Sequence, residues 1–376
     1  MYVAAKGGER AIQQAEQLFR ELNGTFDATF VRLIERHMPY LIDRVMGEGS
    51  LYAPELAALA LAQTGGDLYE AVLLLRAYRS TQPRLAYAEP LDEAHTFTVR
   101  RISAAFKDIP GGQYLGPTLD YSHRLLHLDV LDGRDSAPAS PDGATGDPID
   151  KTGVADLPFD PHPPALTDWH RRYGLLAPLP DLPPHDPASV PDVTRDPIHF
   201  PAPRAHRLQS LARADTGGVL ALGYASMRGY GMIHPTVNEV RLGYADVRLR
   251  HPVSGVVFSA GRVRVCQGEV VTPASSGSDA HPSTNGAAPP AALNPGFTAT
   301  IGWNEVKVIA GAMLDLEMEA ANAHPAHREE FVLYHTEAVE ASGFCIHFKL
   351  PHYVTFNSSL DAIRRAYAAV QQAEPQ

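Results

Sequence analysis

The stretch Glu239-Val240-Arg241-Leu242-Gly243-Tyr244-Ala245-Asp246-Val247-Arg248-Leu249 decides how the second half of the chain folds. Polar and apolar residues alternate along it, which is typical of a β-strand with one buried face. The alternation changes phase near Ala245-Asp246, and this change predicts a β-bulge. An alternating stretch at 255–265 and a short apolar run at 219–225 predict two further strands. The second half of the chain is therefore expected to be rich in β-strands.

Helical patterns lie on both sides of these strands. Residues 55–63 are rich in Ala and Leu, which favour helix, and Asp67-Leu68-Tyr69-Glu70 has the pattern of a capping box. Residues 305–321 and 360–372 also read as helices. The sequence therefore predicts an α+β fold, with a helical N-terminal part and a mixed, antiparallel, β-rich C-terminal part that carries proline-rich insertions.

Proline usage divides the chain. Half of its 32 prolines lie between 136 and 203, where no regular element can run far. We expect a helical domain with a glycine-rich loop at 1–134, a proline-rich linker or insertion at 135–203, and an α+β domain at 204–376. Inside this last domain, the tract 272–295 is rich in Ser, Gly, Ala and Pro and is predicted to be a disordered surface insertion.

The composition excludes several classes of protein. The chain has 376 residues and a net charge of −11, which argues against a protein that coats nucleic acid or an anionic membrane. Its only two cysteines, Cys266 and Cys345, argue against a disulfide framework. The N-terminus lacks the apolar core of a signal peptide, and no apolar run reaches the length of a membrane span. We therefore expect a cytoplasmic protein.

A glycine-rich stretch in the first half has the features of an anion site. It reads Lys107-Asp108-Ile109-Pro110-Gly111-Gly112-Gln113-Tyr114-Leu115-Gly116-Pro117-Thr118-Leu119-Asp120-Tyr121-Ser122-His123-Arg124. Such a loop can bring backbone N–H groups close to a phosphate, but it lacks the Walker A and dinucleotide patterns, so an ordinary connecting loop is an equal alternative. His123 and His127 lie four residues apart on the helix expected next, where they could bind a metal or simply face solvent.

A second loop, Met227-Arg228-Gly229-Tyr230-Gly231-Met232-Ile233-His234-Pro235, precedes the alternating stretch. Arginine beside glycine can hold a phosphate or carboxylate through paired N–H donors. Charged and aromatic residues are also common in loops, so a loop without a binding role is the alternative. Arg228 and His234 are the candidate binding residues here.

A third stretch, Phe344-Cys345-Ile346-His347-Phe348-Lys349-Leu350-Pro351-His352-Tyr353-Val354-Thr355-Phe356, places two histidines five residues apart. Neither a helix nor a regular strand brings such a pair together. Pro351 favours a bend just before His352, and a bent strand or loop could aim both rings at one metal ion. Metal sites usually need three or four protein ligands, so two histidines at the rim of a core strand are the alternative.

Seven blocks together carry a resemblance to a known family. They occur in the same order along nearly the whole chain, and the proline-rich region and the tract 272–295 depart from the family pattern. The blocks are Tyr2-Val3-Ala4-Ala5-Lys6-Gly7-Gly8-Glu9, Arg44-Val45-Met46 with Glu48-Gly49, and residues 56–61, 73–78, 107–124, 228–235 and 344–356. The chain resembles the PhnI family, a subunit of the bacterial carbon–phosphorus lyase complex.

The resemblance implies a function. With PhnG, PhnH and PhnL, such a subunit joins an alkylphosphonate to C1′ of ATP, releasing adenine and leaving a ribose 1-phosphonate 5-triphosphate. Alone, it resembles a nucleosidase acting on purine nucleoside triphosphates such as ATP or GTP. PhnJ, an iron–sulfur radical enzyme, and PhnK are the further partners implied. The resemblance also implies an interfacial zinc ion shared with PhnJ, with His347 and His352 as its ligands in this chain.

Chemistry and proximity to the glycine loops select the remaining candidates. Loss of a base from ribose needs a carboxylate near the oxocarbenium-like state and an acid for the base. Asp108 and Asp120 rank before Glu239 as that carboxylate, and either His123 or His234 could donate the proton. A triphosphate, with Mg²⁺, needs cations and backbone donors. The candidates for that role are Lys107, Gly111, Gly112, Gln113, Arg124, Arg228 and His234. The alternative function is a non-catalytic scaffold that supplies half of the zinc site.

Overall fold

The computed structural model describes residues 7–24, 26–91, 95–134, 160–176, 190–225, 227–228, 234–274, 292–320, 322–349 and 356–373. Within these ranges the chain forms twelve α-helices and one four-stranded antiparallel sheet. The helices dominate the N-terminal part, and three of the four strands lie after residue 235. The predicted α+β class is confirmed.

The chain folds into two compact units, and both are discontinuous in sequence. The helical unit contains Met1–Pro83, Arg213–Gly218 and Leu333–Gln376. The sheet unit contains Arg84–Ala212 and Val219–Val332. The division of the sequence at residues 134 and 203 stays a prediction.

The helical unit is built on a core of small and branched apolar side chains. Its helices are α1 (Gly8–Asn23), α2 (Ala28–His37), α3 (Pro39–Gly49), α4 (Pro54–Gln63) and α5 (Leu68–Ser80), followed late in the chain by α11 (Ala338–Lys349) and α12 (Phe356–Ala373). Met46, Leu61 and Val72 are almost fully buried where α3, α4 and α5 meet. The predicted start of α5 is confirmed, because the Asp67 carboxylate accepts hydrogen bonds from the Tyr69 and Glu70 amides.

The sheet unit is a four-stranded antiparallel sheet in the order β1-β2-β3-β4. Its strands are β1 (Thr96–Ile102), β2 (Thr236–Arg250), β3 (Val257–Pro273) and β4 (Leu293–Ile301). Its helices are α6 (Leu166–Arg172), most of α7 (Arg204–Arg213) and of α8 (Thr216–Ala225), α9 (Glu305–Met318) and the first turn of α10 (Glu329–His335). Strands β2 and β3 confirm the two alternating stretches as strands.

Helix α9 covers one face of the sheet. Val240, Leu242 and Cys266 from the strands pack with Val308 of α9 in one buried cluster. The approach is close enough to require glycine, because a Cβ added at Gly296 would lie 2.2 Å from the Ala312 carbonyl oxygen. Since successive residues of a strand point to opposite faces, the neighbours of these apolar residues point away from α9.

Four local predictions were wrong. Residues 219–225 belong to helix α8, not to a strand, and Asp215 helps to start that helix by accepting a hydrogen bond from the Gly218 amide. A short apolar run is compatible with either element, so its pattern could not decide between them. Between residues 121 and 134, all of which are described, the chain forms turns and one short 3₁₀ helix, Leu128–Val130, so His123 and His127 do not share an α-helix.

The other two corrections concern β2 and α11. The irregularity of β2 near Ala245-Asp246 lies instead between Val247 and Arg248, with another between Val237 and Glu239. The start of the third stretch is helical rather than extended, because α11 continues to Lys349. Pro351 and His352 lie outside the described residues.

The tract 272–295 joins two paired strands. Thr272 pairs with Asn294, and Pro273 pairs with Leu293, so both ends of the tract are β-structure where an insertion was expected. Its residues 275–291 lie outside the described part of the chain. Along the helices that the structure describes, no segment combines the length and the apolar character needed to cross a membrane.

Candidate functional site

Buried charges occupy the sheet face that points away from α9. Arg101 of β1 lies opposite Arg241 of β2, and Glu239 of β2 lies opposite Glu269 of β3. All four side chains are at least nine-tenths buried. Charged residues are rarely buried unless they are paired, so this cluster must be satisfied internally or serve a ligand.

Glu239 is the centre of a satisfied ion-pair network. Its Oε1 accepts hydrogen bonds from Arg101 Nε and, at 3.0 Å, from an Arg241 guanidinium nitrogen. Its Oε2 accepts from the Leu166 amide at 3.2 Å. The two arginines also donate to the Pro164 carbonyl, which fixes the segment before α6 over the sheet. Glu239 therefore has little capacity left for a substrate.

The glycine-rich loop is anchored to this network through Arg101. Gly111 and Gly112 adopt φ angles of 82° and 77°, which favour glycine. Arg101 donates to the carbonyl of Gly112 at 3.1 Å, and the Gly112 amide donates to Ile109. The Gln113 side chain accepts from Ser103 and donates to the Lys107 carbonyl. The loop thus presents carbonyl oxygens to Arg101, which is the opposite polarity to a phosphate cradle.

Glu269 differs from Glu239 because its described hydrogen bonds come from neutral groups. Its carboxylate accepts from Thr167 Oγ1 at 3.3 Å and from Asn238 Nδ2 at 3.0 Å. Burial, reinforced by the negative charge of Glu239, raises the pKa of Glu269 to about 7. A carboxyl group with such a pKa can hold a proton at neutral pH and release it to a bound molecule.

Glu269 lines a cavity of about 520 Å³. This volume falls in the range of pockets that bind small molecules and cofactors. The lining combines apolar groups with a few polar ones and includes Thr96, Ala165, Arg241, Gln267, Glu269 and Phe297. Among the described residues, the cavity therefore joins a proton-holding carboxyl, a buried cation and an aromatic ring.

The three residues predicted as catalytic lie elsewhere. Asp120 is half-exposed, and its carboxylate pairs with Arg100 at 2.5 Å and with Arg124 at 3.1 Å. Asp108 and His123 are exposed. None of the three is among the described residues that line the cavity. Their predicted roles stay predictions.

The predicted binding residues are also spread over several surfaces. Lys107 is exposed, and Arg124 is held by Asp120. Arg228 is exposed, with its guanidinium 5.7 Å from the centre of the Tyr224 ring. His234 is exposed just before β2. The described residues thus do not bring these side chains together at one point.

Of the two predicted zinc ligands, only His347 is described. It lies half-buried on α11, with its ring 5.5 Å from that of Phe348. No group of three or more His, Cys, Asp or Glu side chains suited to a metal ion occurs within the described ranges. By themselves these residues do not fit a zinc ion, which needs three or four ligands.

Sequence reasoning missed Arg101 and Glu269, although a signal for one of them exists. Every second residue of a strand points to the same face, so Glu269 of β3 shares a face with Val263 and Val265. The two valines indicate that this face is buried. A carboxyl at such a position is expensive unless it is paired, and this marks it as a candidate.

The fold and the cavity define a class of protein. It is an α+β protein in which one face of the sheet packs against a helix and the other face carries buried charges. Residues 1–370 match the family described as "Bacterial phosphonate metabolism protein (PhnI)", and the chain belongs to that family.

Three curated relatives match over nearly their whole length. The chain is 43% identical over 371 residues to "Putative C-P lyase subunit protein HtxH" of Stutzerimonas stutzeri, covering 96% of this chain and 95% of the relative. It is 39% identical to "Alpha-D-ribose 1-methylphosphonate 5-triphosphate synthase subunit PhnI" of Rhizobium meliloti (strain 1021), covering 97% and 94%. It is 40% identical to the protein of the same name in Escherichia coli (strain K12), covering 97% and 98%.

Proposed function

We propose that this chain is the subunit of the phosphonate-activating machinery that releases the base from a purine nucleoside triphosphate. The observation that carries the proposal is Glu269, a buried carboxyl with a pKa of about 7 on the wall of a cavity of about 520 Å³. Two of the relatives are named as subunits of a ribose 1-methylphosphonate 5-triphosphate synthase. The name of that product describes a ribose that carries a triphosphate.

The cavity lining suits a purine. Phe297 and Ala299 supply apolar surface for the flat ring, and Gln267 supplies an amide for its edge. Arg241 offers positive charge toward the ribose phosphates, which carry Mg²⁺ as part of the substrate. In this arrangement Glu269 lies where the base binds.

Glu269 then acts as the general acid. The bond between C1′ and the purine nitrogen breaks, and its electron pair stays with the purine. The Glu269 proton passes to the purine, which leaves as the neutral base. The C1′ atom gains a bond to an oxygen, either of water, which loses a proton, or of an alkylphosphonate anion. The first outcome is nucleosidase activity, and the second gives the ribose 1-phosphonate 5-triphosphate.

The test is release of free base from ATP or GTP, measured by chromatography. Glu269→Gln keeps the shape of the side chain but removes the proton, so we expect at least a 100-fold loss of rate. Glu317→Gln is the matched control, because Glu317 is equally buried in the sheet unit but does not line the cavity. We also expect the wild-type rate to fall as the pH rises through about 7.

The exposed carboxylates Asp108 and Asp120 are the alternatives to Glu269 as the catalytic group. If Asp108→Ala or Asp120→Ala abolished base release while Glu269→Gln retained it, the acid would lie on the glycine-rich loop and the proposal for the cavity would be wrong. Absence of base release from wild-type protein, both alone and with PhnG, PhnH and PhnL, would exclude the nucleosidase function itself.

A scaffold role is the second candidate, and an exposed aromatic surface on α11 favours it. Phe344 is 70% exposed and Phe348 is 47% exposed, and they lie next to His347 on the same helix. Such rings are typical of protein interfaces. In this role His347 and His352 contribute to a zinc ion completed by PhnJ, within a complex that also contains PhnK. The zinc content of the complex should fall in His347→Ala and in His352→Ala, and unchanged zinc in both would exclude the shared site.

A further inference from the structure

His170 is a buried histidine that the proposed reaction does not use directly. It lies on α6, and its side chain is inaccessible to solvent. Its ring packs against Phe106 at 4.7 Å and Trp169 at 5.1 Å between ring centres. Nε2 lies 2.7 Å from Asn238 Oδ1, whereas Nδ1 has no hydrogen-bond partner in the described part of the chain. Among the described residues, the one polar contact of the ring is therefore the amide of Asn238.

The direction of each hydrogen bond follows from the chemistry of the amide. Asn238 Nδ2 lies 3.0 Å from Glu269 Oε2 and must donate, because the nitrogen of an amide cannot accept. Asn238 Oδ1 then faces His170 and must accept, so Nε2 of the histidine carries a hydrogen. The three side chains form one chain of donors that ends on the carboxyl group lining the cavity.

Without the histidine, the orientation of this amide would not be fixed. The carboxyl of Glu269 can accept a hydrogen bond from the amide when it is ionised, and it can donate one to the amide oxygen when it is protonated. A ring N–H directed at Oδ1 favours only the first orientation. Asn238 is itself inaccessible to bulk solvent.

We propose that His170 is a positioning residue that acts through Asn238: it holds the amide with its N–H group on Glu269 and so keeps the carboxyl directed at the cavity. The benefit for base release rests on the proposed function, whereas the positioning itself does not. The other groups that face Glu269 are Glu239 and Arg241 from β2 and Thr167 from α6, and Arg101 of β1 reaches it through Glu239.

The experiment compares the titration of Glu269 in variants of the full-length chain without substrate. Infrared difference spectra identify the carboxyl signal as the one lost in Glu269→Gln. Asn238→Leu removes the donor to the ionised carboxylate, so the pKa of Glu269 should move upward. His170→Phe should move it in the same direction, and the double variant should move it no further than Asn238→Leu alone.

Two further variants separate positioning from packing. His170→Gln retains an N–H donor for Asn238, so it should keep the titration close to that of the wild type. His206→Phe alters another buried histidine of the sheet unit, on α7, and should leave Glu269 unchanged. In assays of base release, the falling limb of the pH profile should shift with the titration, while KM changes little.

Each outcome is decisive. An unchanged Glu269 titration in His170→Phe, or shifts that add in the double variant, would overturn the proposal. If His170→Phe does not fold, a wild-type-like titration in His170→Gln supports the proposal, and a titration like that of Asn238→Leu overturns it. Shifted titrations without base release in any protein, wild type included, would support the positioning role and reject the nucleosidase function.

Discussion

Glu239 accepts hydrogen bonds from two arginines, and each arginine also binds backbone carbonyls. This arrangement satisfies buried charges that would otherwise cost several kcal/mol each. Glu269 lies across the ladder from Glu239, and within the described part of the chain its hydrogen-bond partners are an amide and a hydroxyl. Two neighbouring carboxyl groups thus have different environments: Glu239 is held by two arginines, and Glu269 can hold a proton near neutral pH.

Arg101 is the residue whose loss should harm the sheet unit most. It is fully buried, and it joins β1 to Glu239 and to the Gly112 carbonyl. Arg101→Met would leave Glu239 with one arginine and release the glycine-rich loop, so we expect a loss of roughly 3–5 kcal/mol in the free energy of unfolding. Urea denaturation would measure it. The exposed Arg134→Met is the control and should have little effect; similar losses in both would refute this.

Glu269 also makes stability depend on pH. Its pKa is raised in the folded state, so the folded protein binds more protons than the unfolded chain between pH 4.5 and about 7. The contribution of this group to stability is therefore fully present below pH 4.5 and is lost as the pH rises through about 7. The full loss is about 3 kcal/mol.

The Glu269→Gln variant tests this linkage without any substrate. Because glutamine does not titrate, the decrease in unfolding free energy between pH 4.5 and 7 should be smaller in the variant than in the wild type. Urea denaturation followed by tryptophan emission measures it, since both tryptophans, Trp169 and Trp303, lie in the sheet unit. Equal slopes for the two proteins would show that Glu269 is ionised throughout this range.

At the scale of single residues, sequence patterns indicated the polar loops but not the cluster of buried charged residues in the sheet. Lys107 and Asp108 stand out in sequence because they flank glycines, yet both side chains are exposed. Arg101 and Glu269 are 168 positions apart in the chain, and only the pairing of β1 with β2 and of β2 with β3 brings them to one face. The register of these strand pairs cannot be derived from a single sequence.

Among the elements, α9 and β4 show how glycine sets a packing distance. A Cβ at Gly296 would lie 2.2 Å from the Ala312 carbonyl oxygen and 3.0 Å from Leu316 Cβ. Gly296→Ala should therefore push the helix from the strand and lower the free energy of unfolding by about 1–3 kcal/mol.

The control for this substitution lies in a helix with free space. Gly343 of α11 has nothing within 4 Å of an added Cβ, so Gly343→Ala should raise stability by about 0.5–1 kcal/mol through helix propensity. Chemical denaturation of both variants measures the difference. A neutral Gly296→Ala would mean that α9 can move away from β4 without a loss of stability.

Element type was predictable where the pattern was long. The alternation along β2 and β3 and the periodicity of α9 extend over many residues, and all three elements form as predicted. The short apolar run of α8 was too brief to distinguish strand from helix. Pro351 led us to predict a bent strand or loop for the stretch with the two histidines, but a proline restricts mainly the residue before it, and α11 continues to Lys349.

At the scale of the whole molecule, the helical unit is completed by a segment from late in the chain. Glu337, just before α11, pairs with Arg76 of α5, and the Arg213 guanidinium lies 3.7 Å from the same carboxylate. Although burial acts to raise it, these cations hold the pKa of Glu337 below its usual value. Such a group contributes stability above its unfolded-state pKa, and this contribution is lost as the pH falls through the lower folded-state pKa.

The two units should therefore respond to pH in opposite directions. Acid protonates Glu337 and weakens the helical unit, whereas the Glu269 contribution to the sheet unit is largest in acid. On acidification, we expect part of the far-ultraviolet circular dichroism to be lost before the emission of Trp169 and Trp303 changes. In Glu337→Gln, the pairing is weakened at every pH, so the helical signal should already be less stable at pH 7 and depend less on acid. Coincident acid transitions of both signals in the wild type would instead mean that the two units unfold as one.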